Sequence, residues 1–127
     1  MSDELRGRRI MVVEDEGLIL LTIQDILEEL GCEVAAAASR SDPAIAAVGT
    51  TAIDAALLDV NLGQGETSYG VAEALAARGI PFAFLTGYGS GALQAGHEGR
   101  PVLSKPVDER NLAAVLRAML TPKAPPA

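Results

Sequence analysis

Five short apolar runs, separated by segments with helical spacing, constrain this chain more than any other feature. They occupy residues 10–13, 34–37, 53–58, 82–85 and 102–103. None alternates apolar with polar residues, as a strand with one wet face would. Runs buried on both faces need helices on both sides, and the intervening segments supply them. Leu20, Ile23, Leu27 and Leu30 form a helical stripe that Gly31 ends. Asp42-Pro43 opens a second helix that Gly49 is expected to close. A third helix is expected over 68–78, with Gly79 after it. Asp108 caps a last helix that turns Leu112, Val115, Leu116, Met119 and Leu120 inward. Alternating strands and helices mean parallel pairing, and right-handed crossovers then give a doubly wound α/β sheet of five strands.

Between the fourth and fifth runs the pattern breaks. Gly87, Gly89, Gly91, Gly96 and Gly99 fall there. Each glycine inside a helix costs about 1 kcal/mol relative to alanine. A fourth helix is therefore expected to be short or mobile, over 90–95. Residues 1–7 are polar and 121–127 are proline-rich, so both ends read as loose around a domain at 8–120. With 127 residues the chain has room for one core. A net charge of −7, from 10 Lys+Arg and 17 Asp+Glu, argues against a nucleic-acid surface. No apolar run approaches the roughly 20 residues of a membrane span, and the start lacks a secretory signal. Cys32 alone excludes an internal disulfide, and a cytoplasmic domain is the expectation.

The polar residues cluster where the strands end. Run one is followed by Glu14-Asp15-Glu16, run three by Asp59, run four by Thr86, and run five by Ser104-Lys105-Pro106. In the strand order 2-1-3-4-5, one of two common for such sheets, run two is an edge and these ends are neighbours. Ligands of open α/β sheets bind outside the carboxyl ends of the strands, where the winding reverses. Here that point lies between strands one and three. Glu14, Asp15 and Asp59 crowded together would raise one another's pKa values. A hard divalent cation such as Mg²⁺ relieves that repulsion. Asp59 could then attack phosphorus and form an aspartyl phosphate. Lys105 offers a cation and Thr86 a hydroxyl for the phosphoryl oxygens.

These residues resemble a response-regulator receiver domain of two-component signalling. The likeness rests on VVEDE (12–16), LLDVNL (57–62), FLTGYG (84–89) and SKP (104–106), in family order and spacing. No piece is specific alone; the four together are. The resemblance covers about residues 8–120 and implies a flavodoxin-like fold. It implies Asp59 as phosphoacceptor, Asp15 as a direct metal ligand, Glu14 acting mostly through water, and the Asn61 backbone carbonyl completing the set. It implies Thr86 and Lys105 as phosphoryl ligands, and a cis bond before Pro106. Mg²⁺ is the implied cofactor, with Mn²⁺ able to substitute. The implied partners are a sensor histidine kinase or histidine phosphotransfer protein and a downstream protein target; a homodimer is left open. No enzymatic activity is expected beyond the domain's own phosphorylation and slow dephosphorylation.

FLTGYG also resembles the signature of the FATGUY receivers, which are often stand-alone domains. Two departures stand out: Val102 and Val107 occupy positions where the family often has aromatics. We therefore expect Tyr88 to take part in the switch with Thr86. Phosphorylation is expected to shift Thr86 and order the 87–99 segment. His97 reads as an exposed loop residue and Cys32 as a buried small apolar group. Three other classes fit parts of the pattern: an aspartate-nucleophile phosphatase, a receiver-like interaction module that is never phosphorylated, and a flavin-binding fold. The first usually carries a second acid two residues after the nucleophile, where this chain has Asn61.

Overall fold

The apolar runs all form strands. In the computed structural model, which describes residues 4–87 and 100–120, β1 spans Arg9–Val13, β2 Glu33–Ala38, β3 Ala55–Asp59, β4 Phe82–Thr86 and β5 Val102–Ser104. All pair in parallel in the order β2-β1-β3-β4-β5. The helices are α1 (Gly17–Glu29), α2 (Ser41–Thr50), α3 (Tyr69–Ala77) and α4 (Glu109–Leu120). The expected fourth helix over 90–95, Tyr88, His97 and the 121–127 tail lie outside the described residues.

Side-chain alternation along each strand splits the core in two. Ile10, Val12, Leu57, Leu85 and Leu103 pack with Ile23 and Leu27 of α1 and Leu112 and Leu116 of α4. Met11, Val13, Leu58, Phe82 and Phe84 pack on the opposite face with Val48 of α2 and Val71 and Leu75 of α3. Every residue of β3 and β4 is buried, which is why these segments carry no alternation in sequence. β2 is the edge, with half-buried and exposed positions and an extra residue opposite the Ile10/Met11 step. Cys32 is buried beside the first cluster, and burial pushes its thiol pKa up.

Three details depart from the sequence expectations. Residues 4–7 are not loose: Leu5 is buried in the core, and Gly7 N–H donates to the Gly31 carbonyl at 2.7 Å. Gly49 does not close α2, which runs through it to Thr50. The helix ends instead where Thr51 turns extended, and its N–H still donates to the Ala47 carbonyl. Ile53 precedes β3 rather than starting it. Between it and β3, Asp54 N–H donates to the Arg9 carbonyl at 2.7 Å, and its carboxylate accepts from Arg9 N–H at 2.7 Å.

Candidate functional site

The strand tips are fixed by ladder bonds that continue one residue past the strands. Glu14 N–H donates to the Ala38 carbonyl at 3.0 Å, Val60 N–H to Leu85 at 3.2 Å, and Lys105 N–H to Thr86 at 3.0 Å. Backbone pairing therefore sets where Glu14, Asp59, Thr86 and Lys105 sit. Asp59 is the last residue of β3 and pairs with Leu85, while Thr86 pairs with Ser104. The peptide bond between Lys105 and Pro106 is cis.

A cleft of roughly 430 Å³ opens over these tips. It is lined by Asp15, Glu16, Asp59, Val60, Asn61, Gly63, Thr86, Gly87 and Lys105. Carboxylate oxygens of Glu14, Asp15 and Asp59 all lie within 4.8 Å of one another. Glu14 is fully buried, Asp59 is 6% exposed, and Asp15 is open to solvent. The Lys105 ammonium bridges the two buried acids, donating to Asp59 Oδ2 at 3.0 Å and lying 3.0 Å from Glu14 Oε1. The second contact is misaligned, so among the described residues Glu14 Oε1 has no hydrogen-bond partner. Glu14 Oε2 accepts from the Glu16 N–H at 3.2 Å.

The electrostatics follow from burial and crowding. Burial raises the Asp59 pKa first, the neighbouring Glu14 adds to it, and Lys105 opposes both; the outcome is a carboxyl pushed up to about 7. For Lys105, burial favours the neutral amine, but Glu14 and Asp59 outweigh it and raise its pKa. Among the described residues this is where the ionisable groups of three strand tips converge beside the Thr86 hydroxyl of a fourth.

The donor set fits a hard divalent cation. Carboxylate oxygens of three residues converge, and the buried Glu14 Oε1 has no aligned donor among the described residues. Gly63 closes the cleft against Asp15: it has φ +87°, and a Cβ there would sit 3.3 Å from Asp15 Oδ2. The structure thus brings together Glu14, Asp15, Asp59, Asn61, Thr86 and Lys105, as their positions in the sequence suggest. Tyr88 lies outside the described residues.

Sequence reading overlooked Glu66 and Arg40. Glu66 Oε1 accepts from Arg40 Nη2 at 2.6 Å, and Oε2 from the Ser41 N–H at 2.5 Å. The sequence places the start of this helix at Asp42-Pro43; in the structure α2 starts at Ser41 behind Arg40, which gives it no side-chain cap. A second, apolar groove lies on the far side of Lys105, lined by Ile19, Thr22, Ile23, Pro106 and Val107. Nearby on α1, Leu18 is 81% exposed and Leu21 57%.

Comparison with known proteins agrees with this geometry. Residues 10–117 match the family described as response regulator receiver domain. The solution structure of SdrG from Sphingomonas melonis Fr1 is 43% identical, with a TM-score of 0.81, covering 95% of this chain and 100% of that one. The BeF3-activated conformation of SdrG from Pseudomonas melonis Fr1 is 44% identical, with a TM-score of 0.78, covering 89% and 96%. PhyR from Brucella abortus is 29% identical, with a TM-score of 0.79, covering 93% of this chain and 50% of that one. The comparison with curated proteins finds no match. With the matched segment spanning all but the first residue of the sheet and every strand tip of the cleft, the chain belongs to the response regulator receiver domain family of two-component signalling.

Proposed function

We propose that this domain accepts a phosphoryl group on Asp59 from a phosphohistidine of a sensor kinase or phosphotransfer protein. The observation that carries the reading is the convergence of three carboxylates within 4.8 Å, with Lys105 3.0 Å from Asp59. In the transfer, an Asp59 carboxylate oxygen bonds to phosphorus as the phosphorus–nitrogen bond of the donor breaks. The imidazole leaves and takes up a proton. Lys105 and Thr86 stabilise charge on the equatorial phosphoryl oxygens. Glu14, Asp15, Asp59 and the Asn61 carbonyl would hold Mg²⁺, or Mn²⁺ in its place. When bound, the cation offsets carboxylate repulsion and holds an anionic phosphoryl oxygen. Hydrolysis by water returns Asp59 slowly to its free form.

The phosphoryl group places about two negative charges beside Lys105 and Thr86. A shift of Thr86, joined by Tyr88, then changes the face offered to a downstream protein. The FLTGYG segment supports assignment to the FATGUY receivers. Among the described residues no helix is long and apolar enough to cross a membrane, which fits a cytoplasmic site of action. The exposed Leu18 and Leu21 beside the apolar groove are the surface we assign to the phosphohistidine partner.

The test is intact mass after treatment with a small phosphodonor and Mg²⁺. Wild type should gain the mass of one phosphoryl group, and Asp59→Ala should gain none. An unlabelled wild type would favour a receiver that acts only by binding, and turnover of phosphate monoesters would favour a phosphatase.

A further inference from the structure

The segment joining β3 to α3 is a small hairpin that forms one wall of the acidic cleft. Asn61 and Thr67 pair in an antiparallel bridge. Leu62 N–H donates to the Glu66 carbonyl, and Glu66 N–H to the Gly63 carbonyl, both at 2.9 Å. The tip, Gly63-Gln64-Gly65, has positive φ at all three residues and is exposed. Leu62, just before the tip, is buried in the core and anchors that arm. Glu66 ties the hairpin down from the side. Both of its carboxylate oxygens are used, one by Arg40 and one by the first N–H of α2. The carboxylate stands where a helix N-terminus favours negative charge and lacks a cap of its own. Its side chain is 22% exposed, so the contact is sheltered on one side. The same hairpin carries Asn61 and Gly63, which line the cleft, the latter against Asp15.

We propose that Glu66 is a positioning residue for the cation site. By clasping the hairpin to α2, it holds Asn61 and Gly63 at the spacing from Asp15 that lets one divalent cation be shared. The inference rests on the Mg²⁺ reading above. Groups that orient a metal's ligands commonly matter to affinity by 10-fold to 100-fold without touching the metal.

The test is the Mg²⁺ dissociation constant of the unphosphorylated full chain, with wild type, Glu66→Gln and Glu66→Ala compared. Backbone amide shifts of Asn61 and Gly63 and urea unfolding are recorded on the same samples. Glu66→Ala should weaken Mg²⁺ binding about tenfold and move both amides. Glu66→Gln, which keeps an acceptor for the Ser41 N–H, should stay close to wild type. A folded Glu66→Ala that binds Mg²⁺ as tightly as wild type overturns the proposal, whatever its stability. So does a Glu66→Gln that loses as much as Glu66→Ala, because the effect would then be charge and not position. Wild type failing to bind Mg²⁺ would defeat the cation reading itself. Should Glu66→Ala not fold, Arg40→Ala removes one of the two clasp bonds. It should weaken Mg²⁺ binding in the same direction by a smaller factor, and no change there would also overturn the proposal.

Discussion

Asp59 is buried between an acid and an ammonium, and its protonation should be visible in stability. Its folded pKa of about 7 lies above the ordinary 3.8 of an unfolded aspartate. The folded state therefore holds the proton more tightly. That contribution is complete below about pH 4 and is lost as pH rises through about 7. Without metal, stability should fall across that window by up to about 4 kcal/mol, the ceiling set by three pKa units. Asp59→Asn should flatten the dependence and leave the protein more stable than wild type above pH 7. Urea unfolding in chelator between pH 4 and 8 measures both. A profile unchanged by the substitution would mean that Asp59 titrates near its ordinary value. Mg²⁺ should offset much of the loss at pH 7.5, adding about 2.7 kcal/mol at a hundredfold excess over its dissociation constant. Gly63 is sensitive for a different reason. Gly63→Ala combines a φ of +87° with a Cβ 3.3 Å from Asp15 Oδ2, so it should reduce both stability and Mg²⁺ affinity, read by unfolding and by titration.

At the scale of elements, the strands were legible because parallel strands covered on both faces must be apolar throughout, as β3 and β4 are. The strand-end acids, Thr86 and Lys105 were legible because a polar residue closing an apolar run marks the carboxyl edge of the sheet. What stayed hidden was held by long-range contacts. The bond between Glu66 and Ser41 joins residues 25 apart in the chain, and no local pattern encodes it. Leu5 lay in a polar start and is buried in the core cluster beside α1 and α4, next to the bond from Gly7 N–H to the Gly31 carbonyl. Gly49 misled as a stop signal because glycine at a helix end and glycine inside one look alike in sequence. That error has a consequence. Gly49 is exposed inside α2 with open space around it, so Gly49→Ala should stabilise the domain by about 1 kcal/mol. The shift in urea midpoint at unchanged slope reads it out; a destabilised variant would contradict the helical assignment there. On α1, Leu18→Ala combined with Leu21→Ala should slow phosphotransfer from a phosphohistidine protein while leaving labelling by a small phosphodonor unchanged. Equal effects on both donors would place the defect in the cleft and not on the docking face.

The whole molecule gathers charge at one edge of a sheet whose faces are otherwise sealed by four helices among the described residues. The price of that arrangement is two buried acids sharing one ammonium, tolerable to an empty protein because a proton can replace a cation. Chemistry at the edge then follows from which cation occupies it and which electrophile approaches. The most direct measurement locates the modified residue. After treatment with a small phosphodonor, borohydride reduction converts an aspartyl phosphate to homoserine, and peptide mass spectrometry finds its position. Homoserine at position 59 with Mg²⁺ present, and none anywhere with chelator, is the result expected. Homoserine at another aspartate, or none in the presence of Mg²⁺, would contradict the account.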